Sequence, residues 1–536
     1  MRLLDPDTSG PGPPTYCCCH YEELPHRGHA MRFARIVDSW EAVGATRSRL
    51  QKVAVLADTL VSLAGHSPDV LAAGTAMLTG SPRQGRLGIG WATLRDIAVD
   101  PVDDAHATLT VVDVDAAFEE LARMSGPGSV AARHDLLTAL WARATGAEQA
   151  LLRGLVLGEL RQGALEGVVT AAVSRAAEVD DDDVRRAAML TGDLTEAAVV
   201  AMEQGEDALR AVCLEVGRAV QPMLASSAPD VPTALATTGP ARIDTKLDGM
   251  RIQVHRDGGD IRVFTRSLRV VTADLPEVVA AVAAMDVAAV VLDGEALARH
   301  EDGTPLPFQD SMAGSGVLHP HFFDILHLDG TDLLDDPLST RLERLERVVG
   351  PHAVGGIVTE DPEVATAHLR TALAAGNEGV VLKALNSTWQ AGRRGSEWVK
   401  VKVAHTLDLV VLAAEWGSGR RRGRLSNLHL GAVDADTGEA VMLGKTFKGL
   451  TDELLAWQTE ALLDLEVARE DHVVHVRPEL VVEIAFDGVQ ASRRYPGGVT
   501  LRFARVKRYR DDKAPGEADT LQAVQAIHRG ERTPEV

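Results

Sequence analysis

Residues 244–251 read DTKLDGMR, and the interpretation of the whole chain depends on this stretch. Lys246 stands between strand-like residues and a glycine turn, with Asp248 and Arg251 close by on the same segment. A lysine titrates near ~10.4, so a nucleophilic lysine needs a cationic or desolvating neighbourhood that raises its neutral fraction. Arg251 and a bound metal ion could supply that neighbourhood. Taken alone, the segment also fits a solvated lysine at a turn.

Four short motifs follow this lysine along the chain. VVLDGE ends in Glu295, HFFDIL contains Phe323, EGVVLK contains Glu378 and Lys383, and WVKVK contains Lys400 and Lys402. Together with DTKLDGMR, this ordered series resembles the covalent nucleotidyltransferase superfamily of DNA ligases, RNA ligases and mRNA capping enzymes. The resemblance implies that Lys246 attacks ATP and carries AMP as a covalent intermediate.

Two of the acidic residues are candidate metal ligands. Glu295 and Glu378 stand next to apolar, strand-like runs, where carboxylates can hold Mg²⁺, a hard cation that prefers oxygen ligands and substrate phosphates. We expect both to bind Mg²⁺, with Mn²⁺ as an acceptable replacement. Structural salt bridges are the alternative for both.

The nucleotide pocket is assigned by the resemblance. Phe323 adjoins Phe322 in an apolar run, which by itself favours core packing. The resemblance instead implies that Phe323 stacks on adenine and that Asp244 approaches the adenine amino group, which would favour ATP over GTP. It also implies nucleotide-binding roles for a further set of residues: Arg251, Arg266, Glu295, Arg394, Lys400 and Lys402.

The two lysines of WVKVK have a spacing that matters. Lys400 and Lys402 alternate with Val399 and Val401, so on a strand both ammonium groups point to one face. We expect that face to meet the α-phosphate of ATP. A solvent-facing edge strand would show the same alternation.

A basic motif lies near the C-terminus, where residues 501–513 read LRFARVKRYRDDK. It resembles the last ligase motif, which orients the pyrophosphate of ATP for departure. Ala504 stands where the family usually has proline, a change in backbone stiffness rather than charge. A solvated strand is the alternative. The pyrophosphate-orienting candidates are Arg502, Arg505, Arg510 and Lys513.

The N-terminal region distinguishes among the members of the superfamily. Residues 158–169 read GELRQGALEGVV and resemble a signature of the helical DNA-binding domain of cellular ATP-dependent DNA ligases of bacterial, actinobacterial type, continued by QPMLA at 221–225. Arg161 is the candidate phosphate contact beside Gly163, although a helix end with a glycine cap is the alternative.

A second candidate DNA contact is the arginine-rich loop GSGRRRGRLSN at 417–427. Its glycine-flanked cations suit phosphate contacts, and a merely solubilising loop is the alternative. The candidates are Arg420, Arg421, Arg422 and Arg424.

Changes in pattern divide the chain into a multidomain protein. Apolar residues at helical spacing dominate first, short β-rich runs follow, and a third part suggests a small barrel with one helix near 451–465. Residues 226–239 are interpreted as a linker. The expected parts are an extension with Met31 as an alternative start (1–30), an all-α DNA-binding domain (31–220), an α/β nucleotidyltransferase domain of α+β type (221–403), an OB-fold β-barrel (404–515) and a tail (516–536).

Composition sets further limits on the 536 residues. The net charge of −22 argues against a surface coated with positive charge, so local arginine clusters must grip DNA. Three of the four cysteines are consecutive, which leaves no disulfide framework or CxxC pair. Without an apolar run near ~18 residues or a signal peptide, we expect a soluble, cytoplasmic, nucleoid-associated monomer with no membrane partner.

The function implied by the resemblance is ATP-dependent sealing of 5′-phosphate/3′-hydroxyl nicks in duplex DNA (EC 6.5.1.1), during repair, recombination or replication. An RNA ligase or capping-type enzyme would use the same lysine, but the helical N-terminal region argues against it. A catalytically inert DNA-binding scaffold is the rival of another class. The last motif serves adenylylation on a face that DNA must later occupy, so we also expect a hinge near 403–408.

Overall fold

The computed structural model describes residues 31–85, 87–160, 166–306, 308–312, 314, 316–391 and 394–531. These residues divide into two compact units. One unit comprises the described residues through Val184 together with Leu194–Leu209, and the other comprises Arg185–Asp193 and the described residues from Arg210 onward.

The N-terminal region is helical. Val53, Leu56, Leu60 and Leu63 are buried along one face of the second helix, as their spacing predicts, and Ser48 caps its N-terminus by accepting a hydrogen bond from the amide of Gln51. No helix in the described ranges has the length and apolarity that a bilayer crossing requires. The helices are α1 (Ala34–Ala45), α2 (Arg49–Ala64), α3 (Pro68–Thr79), α4 (Trp91–Arg95), α5 (Val111–Arg123), α6 (Ser129–Trp141), α7 (Gly146–Leu157), α8 (Glu166–Ala177), α9 (Asp181–Thr191), α10 (Leu194–Gln204) and α11 (Glu206–Ala211).

The central domain contains two five-stranded sheets, ordered β1-β10-β9-β2-β8 and β4-β3-β5-β6-β7. Helices α12 and α16 pack on the first sheet, and α13 and α15 pack on the second. The strands are β1 (Leu224–Ala228), β2 (Ala241–Lys246), β3 (Met250–Asp257), β4 (Asp260–Thr265), β5 (Ala289–Leu297), β6 (His319–Leu328), β7 (Thr331–Asp332), β8 (Gly356–Thr359), β9 (Gly379–Ala384) and β10 (Arg394–Lys402). The helices are α12 (Val231–Thr238), α13 (Pro276–Ala283), α14 (Phe308–Met312), α15 (Leu338–Val349) and α16 (Pro362–Ala374).

The segment interpreted as a linker, 226–239, is instead part of this domain. Strand β1 pairs in parallel with β10, and α12 buries Val231, Ala234 and Leu235 in the core of the first sheet. Asp230 caps the helix by accepting from the amide of Thr233. The Ser residues that suggested a linker lie on β1, while the Thr residues lie within α12, which also has a proline in its first turn.

The C-terminal domain is rich in strands, but the described strands do not close into the predicted barrel. Their main sheet has the order β13-β12-β11-β15-β14, and β16 pairs with both β11 and β19. The β17–β18 hairpin lies beside β13 but forms a separate sheet, whereas a closed barrel would need hydrogen-bonded strand pairing at that point. The elements are β11 (His405–Trp416), β12 (Leu425–Val433), β13 (Ala440–Thr446), α17 (Asp452–Asp464), β14 (Glu466–Glu470), β15 (Val473–Val476), β16 (Val481–Phe486), β17 (Gly488–Ala491), β18 (Val499–Arg502), β19 (Arg505–Tyr509) and α18 (Leu521–His528).

Residues 516–531 of the segment predicted as a tail also belong to this domain. Helix α18 packs Leu521, Val524 and Ile527 into the C-terminal core, and Thr520 caps its N-terminus. The apolar face of α18 is short, so its spacing alone did not distinguish it from a tail.

Candidate active site

Lys246 ends strand β2, and the ends of two neighbouring strands meet it there. In the register of the sheet, Lys246 lies opposite Gly379 of β9, and Gly379 lies opposite Lys402 of β10. Glu378 therefore contacts both lysines, because its Oε2 lies 2.5 Å from Nζ of Lys246 and 2.7 Å from Nζ of Lys402. The predicted nucleophile, one predicted metal ligand and one predicted phosphate-binding lysine form a single cluster.

The glycine of EGVVLK makes this cluster possible. Gly379 has a φ of +144°, which side chains rarely adopt, and a Cβ atom there would collide with the carbonyl oxygen of Val401. Any other residue would separate β9 from β10 at the point where Glu378 meets Lys402.

Glu378 stays charged in this cluster. Burial acts to raise its pKa, but the neighbouring charges of Lys246 and Lys402 outweigh burial and hold the pKa below its usual value. Nζ of Lys246 is thereby held against a carboxylate. If Lys246 is the nucleophile, its contact with Glu378 would have to be exchanged before it attacks.

Glu295 lies on β5, opposite Arg251 of β3. Burial raises the pKa of Glu295 to about 7, although Lys246 and Arg251 act to lower it. The turn glycine of DTKLDGMR packs directly against it, since a Cβ at Gly249 would lie 2.9 Å from Cγ of Glu295 and 2.6 Å from the oxygen of Ala296. The charge of the Glu295 carboxylate is thus incompletely compensated, which is a condition that a bound cation would relieve.

Arg251 is held by a partner that sequence reasoning missed. Its Nη2 lies 2.6 Å from Oδ2 of Asp293, its Nε donates to Oδ1 at 3.1 Å, and its Nη1 donates to the carbonyl of Met223 at 2.7 Å. Its Cζ lies 5.5 Å from the centroid of the Phe323 ring. The guanidinium of Arg251 is therefore fixed between Asp293, the carbonyl of Met223 and the ring of Phe323. The signal was available, because Asp293 shares a strand face with Glu295.

The two phenylalanines of HFFDIL point to opposite faces of β6. Phe322 is fully buried in the core of the second sheet, whereas Phe323 is only partly buried. The ring of Phe323 meets Trp398 edge-on at a centroid separation of 5.9 Å, and Nζ of Lys383 lies 4.3 Å from its centroid. Phe322 belongs to the core of the second sheet, whereas Phe323 packs against two smaller apolar clusters and lies beside Arg251 and Lys383.

Asp244 is also buried, at 3% exposure, and lies two residues before Lys246 on the same strand face. Its Oδ1 accepts from Nε of Arg242 at 2.8 Å, and its Oδ2 lies 2.8 Å from Nζ of Lys383. Lys383 thus connects Asp244 to Phe323. Lys383 is the last residue of the EGVVLK motif, but the motif alone predicted no role for it.

Of four other predicted residues, two lie wholly within the described residues. Lys400 is half-buried on β10, opposite Ser227 of β1 and Val381 of β9, and Arg266 is exposed in the turn after β4. The backbone of Arg394 begins β10, while its side chain lies outside the described residues, as does the whole of Arg161.

The basic C-terminal motif divides into two groups. Arg502 reaches the central domain, where its Nη1 donates to Oδ2 of Asp248 at 2.7 Å. Arg505 pairs with Asp487 at 3.2 Å, and the same carboxylate lies 3.8 Å from Nζ of Lys402. These contacts bring one end of the C-terminal domain to the cluster around Lys246.

Arg510 and Lys513 form the second group, and both contact Asp408 rather than the cluster. Oδ2 of Asp408 lies 2.7 Å from Nη1 of Arg510 and 2.6 Å from Nζ of Lys513. In this arrangement they hold the beginning of β11.

The arginine-rich loop forms a tight turn between β11 and β12. Arg420, Arg422 and Arg424 are exposed, whereas Arg421 is half-buried and donates to the carbonyl of Phe447. Three of the four predicted cations are thus accessible to a polyanion.

Comparisons with known proteins agree with this architecture. A family model described as "ATP dependent DNA ligase domain" matches residues 222–402, one described as "ATP dependent DNA ligase C terminal region" matches residues 421–513, and one described as "DNA ligase N terminus" matches residues 100–174. The solved structure of "Pmar-Lig_PreS3" covers 89% of this chain and 99% of its own, with a TM-score of 0.63 at 17% identity, which supports the fold alone.

Relatives of higher identity cover almost the whole chain. A protein named "Probable DNA ligase" from Pseudarthrobacter chlorophenolicus is 53% identical over 511 residues, covering 93% of this chain and 100% of its own length. One of the same name from Rhodococcus opacus is 52% identical, with 93% and 100% covered, and one from Anaeromyxobacter dehalogenans is 54% identical, with the same coverage. With these matches to three successive family models, the chain belongs to the family of ATP-dependent DNA ligases.

Proposed function

We propose that this ligase seals nicks between a 5′-phosphate and a 3′-hydroxyl in duplex DNA, acting as a monomer with ATP and Mg²⁺ in repair, recombination or replication (EC 6.5.1.1). The observation that carries the proposal is the cluster in which Glu378 contacts both Lys246 and Lys402. A lysine held among charged groups at a strand end suits nucleotidyl transfer, which depends on positioning and charge stabilisation.

Three transfers, each with its own nucleophile, would share one pocket. When ATP displaces the Glu378 contact and Lys246 loses its proton, Nζ attacks the α-phosphorus, and the bond to pyrophosphate breaks. An oxygen of the 5′-phosphate at the nick then attacks the same phosphorus and releases Lys246. Finally the 3′-hydroxyl attacks the 5′-phosphorus, AMP leaves, and the DNA backbone is closed.

The residues present fit Mg²⁺. They do so as a pair, because the described residues contain no group of three or more His, Cys, Asp or Glu side chains that could hold a metal ion. Glu295 and Glu378 would hold Mg²⁺ as two carboxylates, with phosphate oxygens and water completing the shell, as this cation prefers. When bound, Mg²⁺ or Mn²⁺ supplies stabilisation of the charge on the phosphates.

The remaining residues recognise the rest of the substrates. Phe323 would stack on adenine, and Asp244 would accept a hydrogen bond from the adenine amino group. Arg251 would hold the ring of Phe323 in place through their contact. Lys400 and Lys402 would face the α-phosphate, with Arg266 and Arg394 as further contacts to the nucleotide. Pyrophosphate departure is assigned to Arg502, Arg505, Arg510 and Lys513, and contacts to the DNA backbone to Arg161, Arg420, Arg421, Arg422 and Arg424.

The decisive experiment is incubation with α-labelled ATP and Mg²⁺, followed by a chase with nicked duplex DNA or nicked RNA. We expect the wild-type polypeptide to retain label and Lys246→Ala to retain none, with discharge only as nicked DNA is sealed. Arg344→Gln, an exposed change on α15, is the matched control and should label normally. Absence of label from the wild type would refute the enzymatic proposal, and discharge by RNA alone would indicate an RNA-joining enzyme.

A further inference from the structure

Lys383 is a buried lysine on β9, the strand that lies between β2 and β10. It is 2% exposed, and a lysine is rarely buried to this degree unless it is paired. Its Nζ lies 2.8 Å from Oδ2 of Asp244 and donates to the carbonyl of Phe323 at 3.0 Å. One ammonium group thus joins the two residues assigned to adenine.

Two aromatic rings enclose the same ammonium group. Nζ of Lys383 lies 4.3 Å from the centroid of Phe323 and 4.3 Å from that of Trp398, a range in which cations attract ring faces. The register explains the placement, because Lys383 lies opposite Arg242 on one neighbouring strand and opposite Trp398 on the other. The position of Lys383 is therefore set from both sides.

We propose that Lys383 is a positioning residue for nucleobase selection: it holds the Asp244 carboxylate and the ring of Phe323 in the arrangement that accepts adenine and rejects guanine. The inference rests on the proposed function, with ATP as the nucleotide. Arg242 donates to one oxygen of the Asp244 carboxylate and Nζ of Lys383 lies against the other, and a carboxylate only accepts hydrogen bonds. An acceptor favours the 6-amino group of adenine and repels the 6-carbonyl oxygen of guanine.

A purely structural role for Lys383 predicts a different result. A structural ion pair would affect labelling by ATP and by GTP equally, because both need the same folded domain. A positioning role acts through Asp244, so it changes the ratio between the two nucleotides. The ratio of kcat/KM values for covalent labelling of Lys246 is therefore the measurement that separates them.

The test compares Lys383→Met, which preserves length and contact with the two rings, with Lys445→Met. Lys445 pairs with Glu415 in the C-terminal domain, so its replacement removes a lysine–carboxylate pair that does not contact the nucleotide residues. For Lys383→Met we expect the ATP/GTP ratio to fall by about tenfold or more, mainly through a higher KM for ATP. For Lys445→Met the ratio stays at the wild-type value.

The outcomes are distinguishable from failure of the proposed function. A wild type that takes no label from ATP refutes the proposed function, and this inference with it. A labelled wild type with equal losses for ATP and GTP in Lys383→Met refutes only the inference. The double variant with Asp244→Asn should lose no more selectivity than either single variant, since Lys383 acts through Asp244. If Lys383→Met does not fold, Lys383→Arg displaces the charge within the same space, and a wild-type ratio in that variant overturns the inference.

Discussion

Arg502 of β18 donates a hydrogen bond to Asp248 at 2.7 Å, and thereby ties the C-terminal domain to the segment that carries Lys246. The two residues are 254 positions apart in the chain. A second link lies close by, because Asp487 approaches Nζ of Lys402 at 3.8 Å. Arg502 therefore lies beside the segment that carries Lys246, where the proposed first transfer would need a cation.

Replacing Arg502 should slow the first transfer, the labelling of Lys246, and leave the last transfer, the sealing of the nick, unchanged. We expect Arg502→Ala to slow labelling of Lys246 by ATP by roughly 10- to 100-fold, because a charged donor near the departing pyrophosphate is lost. Sealing of a nick that already carries AMP should remain near the wild-type rate. Arg508→Ala is the matched control, since Arg508 is exposed and pairs with Glu483 on the neighbouring strand. Equal losses in both reactions would contradict the assignment.

The second prediction concerns movement of the C-terminal domain. Only Val403 and Ala404 separate β10 from β11, while Arg510 and Lys513 hold Asp408 within the C-terminal domain. We therefore expect rotation at the Val403–Ala404 link, with the Asp408 contacts kept. Neutron scattering with the DNA contrast-matched should give different radii of gyration for the ATP-loaded and nick-bound protein. The same radius in both states would rule out the hinge.

Much of the site was predictable because the motifs that carry the family resemblance name its residues, and these motifs stand at strand ends. The runs at 252–255, 261–265 and 290–293 lie within β3, β4 and β5, and β-branched residues are frequent in all three. Lys246, Glu378 and Lys402 were each named from motifs, and the structure places their charged groups in contact. Their spacing along the chain matters less than their shared position at the ends of three neighbouring strands.

What sequence reasoning missed depends on long-range pairing. Lys383 looks like any strand lysine until β9 is known to lie between β2 and β10. The bond between Arg502 and Asp248 requires the placement of a whole domain. The strand-rich C-terminal domain was predicted, but the way its strands pair was not, because barrel closure depends on which edge strands meet rather than on how many strands occur. Local composition likewise concealed β1 and α12 within the segment interpreted as a linker.

The third prediction concerns a buried ion pair beneath the second sheet. Arg341 and Asp324 are both fully buried, with Nε to Oδ1 at 2.8 Å and Nη2 to Oδ2 at 3.1 Å. Arg341→Leu leaves the carboxylate unpaired and should destabilise the central domain by about 3–5 kcal/mol. Denaturant unfolding followed by tryptophan fluorescence measures the loss. Arg344→Gln, exposed on the same helix, should change stability by less than about 0.5 kcal/mol.

The fourth prediction concerns Glu415, a carboxylate of the C-terminal domain. Burial acts to raise its pKa, but hydrogen bonds from Lys445, His429 and Asn427 outweigh burial and hold the pKa at about 2. Burial lowers the pKa of His429, so its imidazole is uncharged at neutral pH. Glu415 should therefore stabilise the folded domain through its ionised form.

The sign of the pH dependence follows from that lowered pKa. The contribution of Glu415 is complete above the ordinary pKa of 4.5 and is lost as the pH falls from there toward about 2, because the unfolded chain then binds the proton first. At pH 7 we expect Glu415→Gln to lower the free energy of unfolding by roughly 1 kcal/mol, since solvent screens part of the pair. Denaturant unfolding at pH 7, 5 and 3.5 should show this difference shrinking toward acid, whereas Glu460→Gln, exposed on α17, should show no such trend. A difference for Glu415→Gln that is constant over this range would show that packing, rather than charge, accounts for the effect.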